Sequence, residues 1–224
     1  MTRDWFDRVL VLAPHADDET IGCGGLLAHL GARAVVRVFG TSDFEMTSGG
    51  VVSQTQRRAE LADAMQRLGV EDYAVLYEGA EQNLAGVGRA RLVTALDALF
   101  EEIQPTAVFT ALASHHQDHV EAYQATLSAL RMRPAILGIK AVFGYEYPHV
   151  DLYPGFRPDS GFTYFDFTPH ADAKRCALDA HASQLLPRPN RWLDTDLIMK
   201  WGEKRGMESG VAFAEKFYLL RATM

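Results

Sequence analysis

A chain of 224 residues, 48% of them hydrophobic, is long enough to bury a full core and is expected to form one domain over residues 1–224. Its formal net charge of -7, with no run of Lys or Arg, excludes an electrostatic footprint for nucleic acid or an anionic membrane, so a small molecule is the expected partner. Cys23 and Cys176 are too few and too far apart for a disulfide framework or a four-cysteine metal site, and the first apolar run, Val9 to Ala13, is too short to insert into a bilayer.

No secretory pattern of charged, apolar and small residues marks the N-terminus, so the cytoplasm is the expected compartment. From that end, Arg8 to Ala13, Ala34 to Phe39, Tyr73 to Tyr77 and Ala107 to Ala111 are apolar and rich in β-branched residues, and read as buried strands. Between and after them, Thr20 to Leu30, Gln54 to Leu68, Gly88 to Ile103 and Asp118 to Arg131 carry apolar residues at i, i+3 and i+4. Gly31, Gly69, Pro105 and Pro134 supply the stop signals, so these segments read as helices. Strand-then-helix repeats imply an α/β fold, a Rossmann-like and mainly parallel sheet with helices on both faces, because parallel strands need long crossovers.

Farther along, Ile136 to Tyr147 and Phe162 to Phe167 read as strands joined by an aromatic, Pro-rich loop from Tyr147 to Phe156. Helices are expected at Ala171 to Ser183 and Asp194 to Lys204, with a last strand near Phe213 to Leu220.

Ligands of open parallel sheets bind outside the carboxyl ends of the strands, which directs attention to two loops. The first strand runs into Pro14-His15-Ala16-Asp17-Asp18-Glu19, and the fourth into Ser114-His115-His116-Gln117-Asp118-His119. If the first loop begins to wind into the following helix, His15 and Asp18, three apart, share a face and can share a metal, while Asp17 points elsewhere. A catalytic zinc takes three nitrogen or oxygen ligands and keeps one open position, so His15, Asp18 and one histidine of the second loop make up the count. Spacing alone leaves His116 and His119 as alternatives for the third ligand.

Other conspicuous residues have plainer readings. Glu19 and Thr20 read as caps of the first helix. Gly22, Gly24 and Gly25 miss the Gly-x-Gly-x-x-Gly spacing, follow an acidic loop hostile to pyrophosphate, and read as sites of close helix packing. Cys23 reads as a small buried residue and Cys176 as helix core. His29, His115, His149, His170 and His181 are left outside the metal shell.

Pro14-His-x-Asp-Asp-Glu19 followed by Gly22-x-Gly-Gly25 resembles the opening of PIG-L/LmbE-type N-acetylglucosaminyl deacetylases, and His116-Gln-Asp-His119 is similar to their His-x-Asp-His motif. Arg57-Arg-Ala-Glu60, the segment from Lys174 to His181-Ala-Ser-Gln184, and Ala214-Glu-Lys-Phe217 extend the resemblance over nearly the whole chain. It departs at Gln117, where proline is usual, and at Glu81-Gln-Asn-Leu84, where an aspartate-containing turn is common. The resemblance implies metal ligands His15, Asp18 and His119, with Asp17 as general base. It further implies His116, oriented by Asp118, as oxyanion stabiliser or acid for the leaving amine, and an arginine contacting the sugar, for which Arg57 is favoured over Arg58. The implied activity is removal of an N-acetyl group from a GlcNAc-type sugar or glycoside with Zn2+ as cofactor, and Fe2+ or Co2+ as substitutes. An amidase of larger N-acyl or thiol-conjugate substrates and a metal-binding non-catalytic homologue are the competing readings, and a homo-oligomer is compatible with either.

Overall fold

The computed structural model describes residues 4–45, 50–81, 83–131, 137–148, 161–185 and 193–223. Its central seven-stranded sheet has the order β5-β2-β1-β6-β7-β9-β8. Strands β1 (Val9–Ala13), β2 (Ala34–Thr41), β5 (Asp72–Glu78), β6 (Ala107–Ala111) and β7 (Ala141–Tyr145) are mutually parallel, whereas β9 (Ala214–Ala222) runs antiparallel to both β7 and β8 (Phe162–Asp166). A separate two-stranded hairpin pairs β3 (Phe44–Glu45) with β4 (Val51–Val52). The α/β, mainly parallel architecture is thus as expected.

Side chains alternate across the sheet. Val9, Val11 and Ala13 of β1 join the core cluster that includes Leu26 and Leu27 of α1 (Asp18–Leu30), Leu61 and Met65 of α2 (Gln54–Leu68) and Ala177 of α6 (Ala171–Ala180). Leu10 and Leu12 join the opposite cluster, with Leu92, Leu96 and Phe100 of α4 (Arg89–Ile103) and Ala122 and Ala125 of α5 (Gln117–Leu130). Two covered faces explain why β1 is apolar at every position and carries no period-two signal. The short helix α3 (Leu84–Val87) and the β3–β4 pair are too brief for a periodicity and have no sequence signal, while α7 (Ala182–Leu185) takes up the end of the helix expected from Ala171 to Ser183. The last helix, α8, is Thr195–Ser209.

Local chemistry sets the boundaries. Ser53 caps α2, its Oγ accepting the Gln56 N–H at 3.1 Å, and Gly69 ends the helix at φ 70, a left-handed turn that glycine adopts without steric cost. Helix α1 is buried along nearly its whole length, and its glycines serve contact: a Cβ on Gly22 would lie 2.2 Å from Tyr145 Cδ2, and one on Gly25 2.3 Å from Phe167 Cβ. The expected helix from Ala171 to Ser183 breaks at His181, and of the strand expected from Ile136 to Tyr147 the described residues form Ala141–Tyr145, with Ile136 outside them. Cys23 is buried as expected, but Cys176 is exposed, which corrects its reading as core: α6 buries Lys174, Ala177 and Leu178, and Cys176 falls on the other side. Most of the Pro-rich loop, with His149, lies outside the described residues.

Candidate metal and active site

Strand β1 is flanked by β2 on one side and β6 on the other, so the chain reverses its direction of travel across the sheet at the β1/β6 boundary. That topological switch point leaves a crevice at the carboxyl ends of the strands. Both histidine loops open into it, because β1 and β6 are parallel neighbours in register from Val9↔Ala107 to Leu12↔Thr110. They line a cavity of about 410 Å³, together with residues from α2, the β3–β4 hairpin and α7.

The donor geometry follows from these loops. Helix α1 begins at Asp18, so His15 precedes the helix instead of sharing its face. The two residues still meet, because Asp18 Oδ2 accepts the His15 backbone N–H at 3.0 Å and lies 3.3 Å from His15 Nδ1. The same oxygen lies 3.3 Å from His119 Nε2. Ligand atoms about one tetrahedral divalent cation stand roughly 3.3–3.4 Å apart, which these two separations match. The ring nitrogens turned away are also engaged: His15 Nε2 lies 3.1 Å from Asp118 Oδ2, and His119 Nδ1 lies 3.1 Å from Ser114 Oγ. Such outer bonds orient metal-binding imidazoles. His116 is close as well, since one donor atom each from His15, His116 and His119 falls within 4.8 Å of the others.

Asp118 does not meet His116 through its carboxylate, contrary to expectation. Its Oδ1 accepts the Leu84 N–H at 3.0 Å and its Oδ2 holds His15, while only its backbone N–H reaches His116 Nδ1, at 3.2 Å. His116 thereby caps α5, and a ring accepting at Nδ1 carries its neutral-state proton on Nε2. Burial, aided by the neighbouring His15 and His119, pushes the His116 pKa down to about 4.

The two adjacent aspartates are held differently. Burial raises the Asp17 pKa to about 7, against the pull of Arg57, whose Nη2 is 3.9 Å from Asp17 Oδ1. Burial acts in the same sense on Asp18, but His119 and His15 outweigh it and hold Asp18 well below the usual carboxylate range. Burial opposes the His15 imidazolium, yet its hydrogen bonds to Asp118 and Asp18 overcome it and raise the metal-free pKa to about 10.

Arg57 is buried and faces this cavity, whereas Arg58 lies outside, paired with Glu78. Nη2 of Arg57 is 3.1 Å from Glu81 Oε1, but Nε and Nη2 have no aligned hydrogen-bond acceptor among the described residues. Phe44, Tyr147 and Gln184 also line the cavity. Phe44 and Tyr147 belong to the two loops, Ser42 to Val52 and Tyr147 to Pro158, whose sequence positions point to a role in specificity, and Gln184 and Glu81 stand in quoted motifs. Glu19 and Thr20 do more than cap: Glu19 Oε2 accepts the Asp17 N–H at 3.1 Å, as half a capping box does, and both residues contact the fully buried His181. His29 and His170 contact each other away from the cavity, and His115 lines its mouth.

Residues 10–130 match the PIG-L family, described as GlcNAc-PI de-N-acetylase. A relative from Saccharopolyspora erythraea, 1D-myo-inositol 2-acetamido-2-deoxy-alpha-D-glucopyranoside deacetylase 1, is 25% identical over 271 residues, covering 95% of this chain and 89% of that protein. Among solved structures, the conserved protein TT1542 from Thermus thermophilus is 25% identical at a TM-score of 0.70, covering 98% of this chain and 96% of that one. N,N'-diacetylchitobiose deacetylase from Pyrococcus horikoshii superposes at a TM-score of 0.72 with 19% identity, covering 96% and 84%, a likeness of fold.

Proposed function

This chain belongs to the PIG-L (GlcNAc-PI de-N-acetylase) family, and from that premise we propose that it is a zinc-dependent hydrolase that removes the N-acetyl group from a GlcNAc-type sugar or glycoside. The carrying observation is the placement of Asp18 Oδ2 at 3.3 Å from two imidazole nitrogens, with the carboxylate of Asp17, outside that donor set, in the same cavity. Relatives named as deacetylases of N-acetylated sugars support the substrate class.

His15, Asp18 and His119 would hold the cation, which would supply Lewis acidity to the amide carbonyl and to the attacking water. Asp17, outside that donor set, takes the proton from the water as its oxygen bonds to the acetyl carbon. His116 donates its Nε2–H to the carbonyl oxygen as negative charge develops there. The C–N bond then breaks, and the proton held by Asp17 passes to the departing nitrogen, leaving free amine and acetic acid, which gives its remaining proton to solvent as acetate. Asp118 and Ser114 keep the two ligand rings oriented. Arg57 lines the cavity, and its guanidinium is the contact to the sugar, whose hydroxyls supply acceptors.

A His2Asp donor set selects its metal weakly, so Fe2+ or Co2+ substitutes for Zn2+. Acetate release from a panel of N-acetylated sugars and glycosides, run with metal-analysed protein, tests the reading. Chelation is expected to abolish release and Zn2+ to restore it. Full activity in verified metal-free protein, or no release from any acetylated amino sugar, refutes it.

A further inference from the structure

Beneath the loop that carries Asp17 lies a polar cluster that the mechanism above does not use. Glu19 and His181 are both 0% exposed. A carboxylate removed from water at that depth persists only when its oxygens are fully bonded, and those of Glu19 are. Its Oε2 accepts the Asp17 backbone N–H at 3.1 Å, while its Oε1 accepts the Thr20 hydroxyl at 2.8 Å and lies 3.2 Å from His181 Nε2. A carboxylate only accepts, so the His181 proton sits on Nε2; Nδ1 has no partner among the described residues and carries the lone pair.

We infer that His181, acting through Glu19, is a positioning residue for Asp17. The inference rests on the reading of Asp17 as the base. The Asp17 side chain makes no capping hydrogen bond, and its cationic neighbour Arg57 stands off at 3.9 Å, so the carboxylate is aimed chiefly through its backbone. The Asp17 amide is shared between His15 O, at 3.1 Å, and Glu19 Oε2, and the charged acceptor makes the stronger bond. His181 in turn fixes the rotamer of Glu19. It occupies the break between α6 and α7, and α7 is itself clamped by Glu60, which accepts the Ser183 N–H at 2.9 Å and its hydroxyl at 2.6 Å. Gln184, next along, lines the cavity. The base and one wall of the cavity are therefore tied to a single buried imidazole.

The test compares wild type, His181→Leu and His181→Gln for kcat, KM, metal content and hydrogen exchange at the Asp17 amide. His181→Leu is expected to lower kcat by about 10- to 100-fold, part of the roughly 10²- to 10⁴-fold that a well-placed general base contributes. KM and metal content should hold, and exchange at Asp17 should quicken. His181→Gln, whose terminal amide donates from about the reach of Nε2, is expected to recover most of kcat. Wild-type kcat in His181→Leu, a loss taken through KM or metal content, or a Gln variant no better than Leu overturns the inference. Should His181→Leu not fold, Glu19→Gln takes its place: it keeps the volume and removes the charge, and wild-type kcat in that variant also overturns the inference. If wild-type protein deacetylates nothing, the proposed function fails. Asp17 amide exchange then decides the positioning link alone, and unchanged exchange in the variants refutes it.

Discussion

Replacing Asp17 by Asn separates the two adjacent aspartates by readouts of opposite sign. The substitution keeps size and shape and removes the proton acceptor, which typically costs about 10²- to 10⁴-fold in rate, or roughly 3–5 kcal/mol of barrier. Metal content should hold, because the 3.3 Å contacts belong to Asp18. Stability of the metal-free protein should rise. Burial lifts the Asp17 pKa from 3.8 to about 7, so the folded state disfavours its charge, and above pH 7 this costs on the order of 4 kcal/mol at 1.36 kcal/mol per unit. The sign is that of a raised carboxyl: the penalty is absent below the unfolded pKa, grows as pH climbs from about 4 to 7, and is constant above. Asn carries no such charge, so metal-free Asp17→Asn should melt several degrees higher at pH 8, with the difference vanishing toward pH 4. Acetate release, metal analysis and thermal melts at two pH values check all three statements. A variant that turns over at the wild-type rate, or loses its metal while Asp18→Asn retains it, would refute the division of roles.

The remaining predictions follow from the same geometry. In a pH profile, kcat/KM should rise tenfold per unit on the acid side with a midpoint at or below about 7, because Asp17 must be deprotonated and a bound cation pulls its pKa downward; the limb should be missing in Asp17→Asn. Metal binding to metal-free protein at pH 8 should release about one proton, since His15 is held protonated to about 10 while Asp18 is already ionised; calorimetry in buffers of different ionisation enthalpy measures it, and no release contradicts the ligand role of His15. Arg57→Lys should raise KM, as a lone ammonium cannot reproduce the guanidinium fork, whereas Arg58→Ala on the surface should leave turnover unchanged; the opposite ranking by steady-state kinetics rejects Arg57 as the sugar contact. Gly22→Ala places a Cβ 2.2 Å from the Tyr145 ring and should cost about 1–3 kcal/mol of stability, seen as a lower Tm; an unchanged Tm would mean that the helix shifts freely.

Much of this was legible in the sequence, because α/β architecture writes itself in local patterns. Helix α2 spans Gln54–Leu68 as periodicity and its glycine stop predict, and β6 spans Ala107–Ala111 as its β-branched run does. The rule that ligands sit at strand carboxyl ends also singled out the loops holding His15 and His119 before any contact was known. Order along the chain does not specify which strands lie side by side. That β1 and β6 are neighbours, and so that the two loops face each other, follows from the sheet packing. Hydrogen-bond direction is equally a tertiary matter: Asp118 is two residues from His116, yet its carboxylate turns to His15, 103 positions away, because the start of α5 fixes its backbone and Leu84 and His15 lie nearest. Arg57 and Arg58 are consecutive in one helix, and only its packing against the sheet sends the first inward and leaves the second in water. His181, in sequence only one residue of a quoted motif inside an expected helix, meets Glu19 because long-range packing brings together groups that local propensity cannot pair.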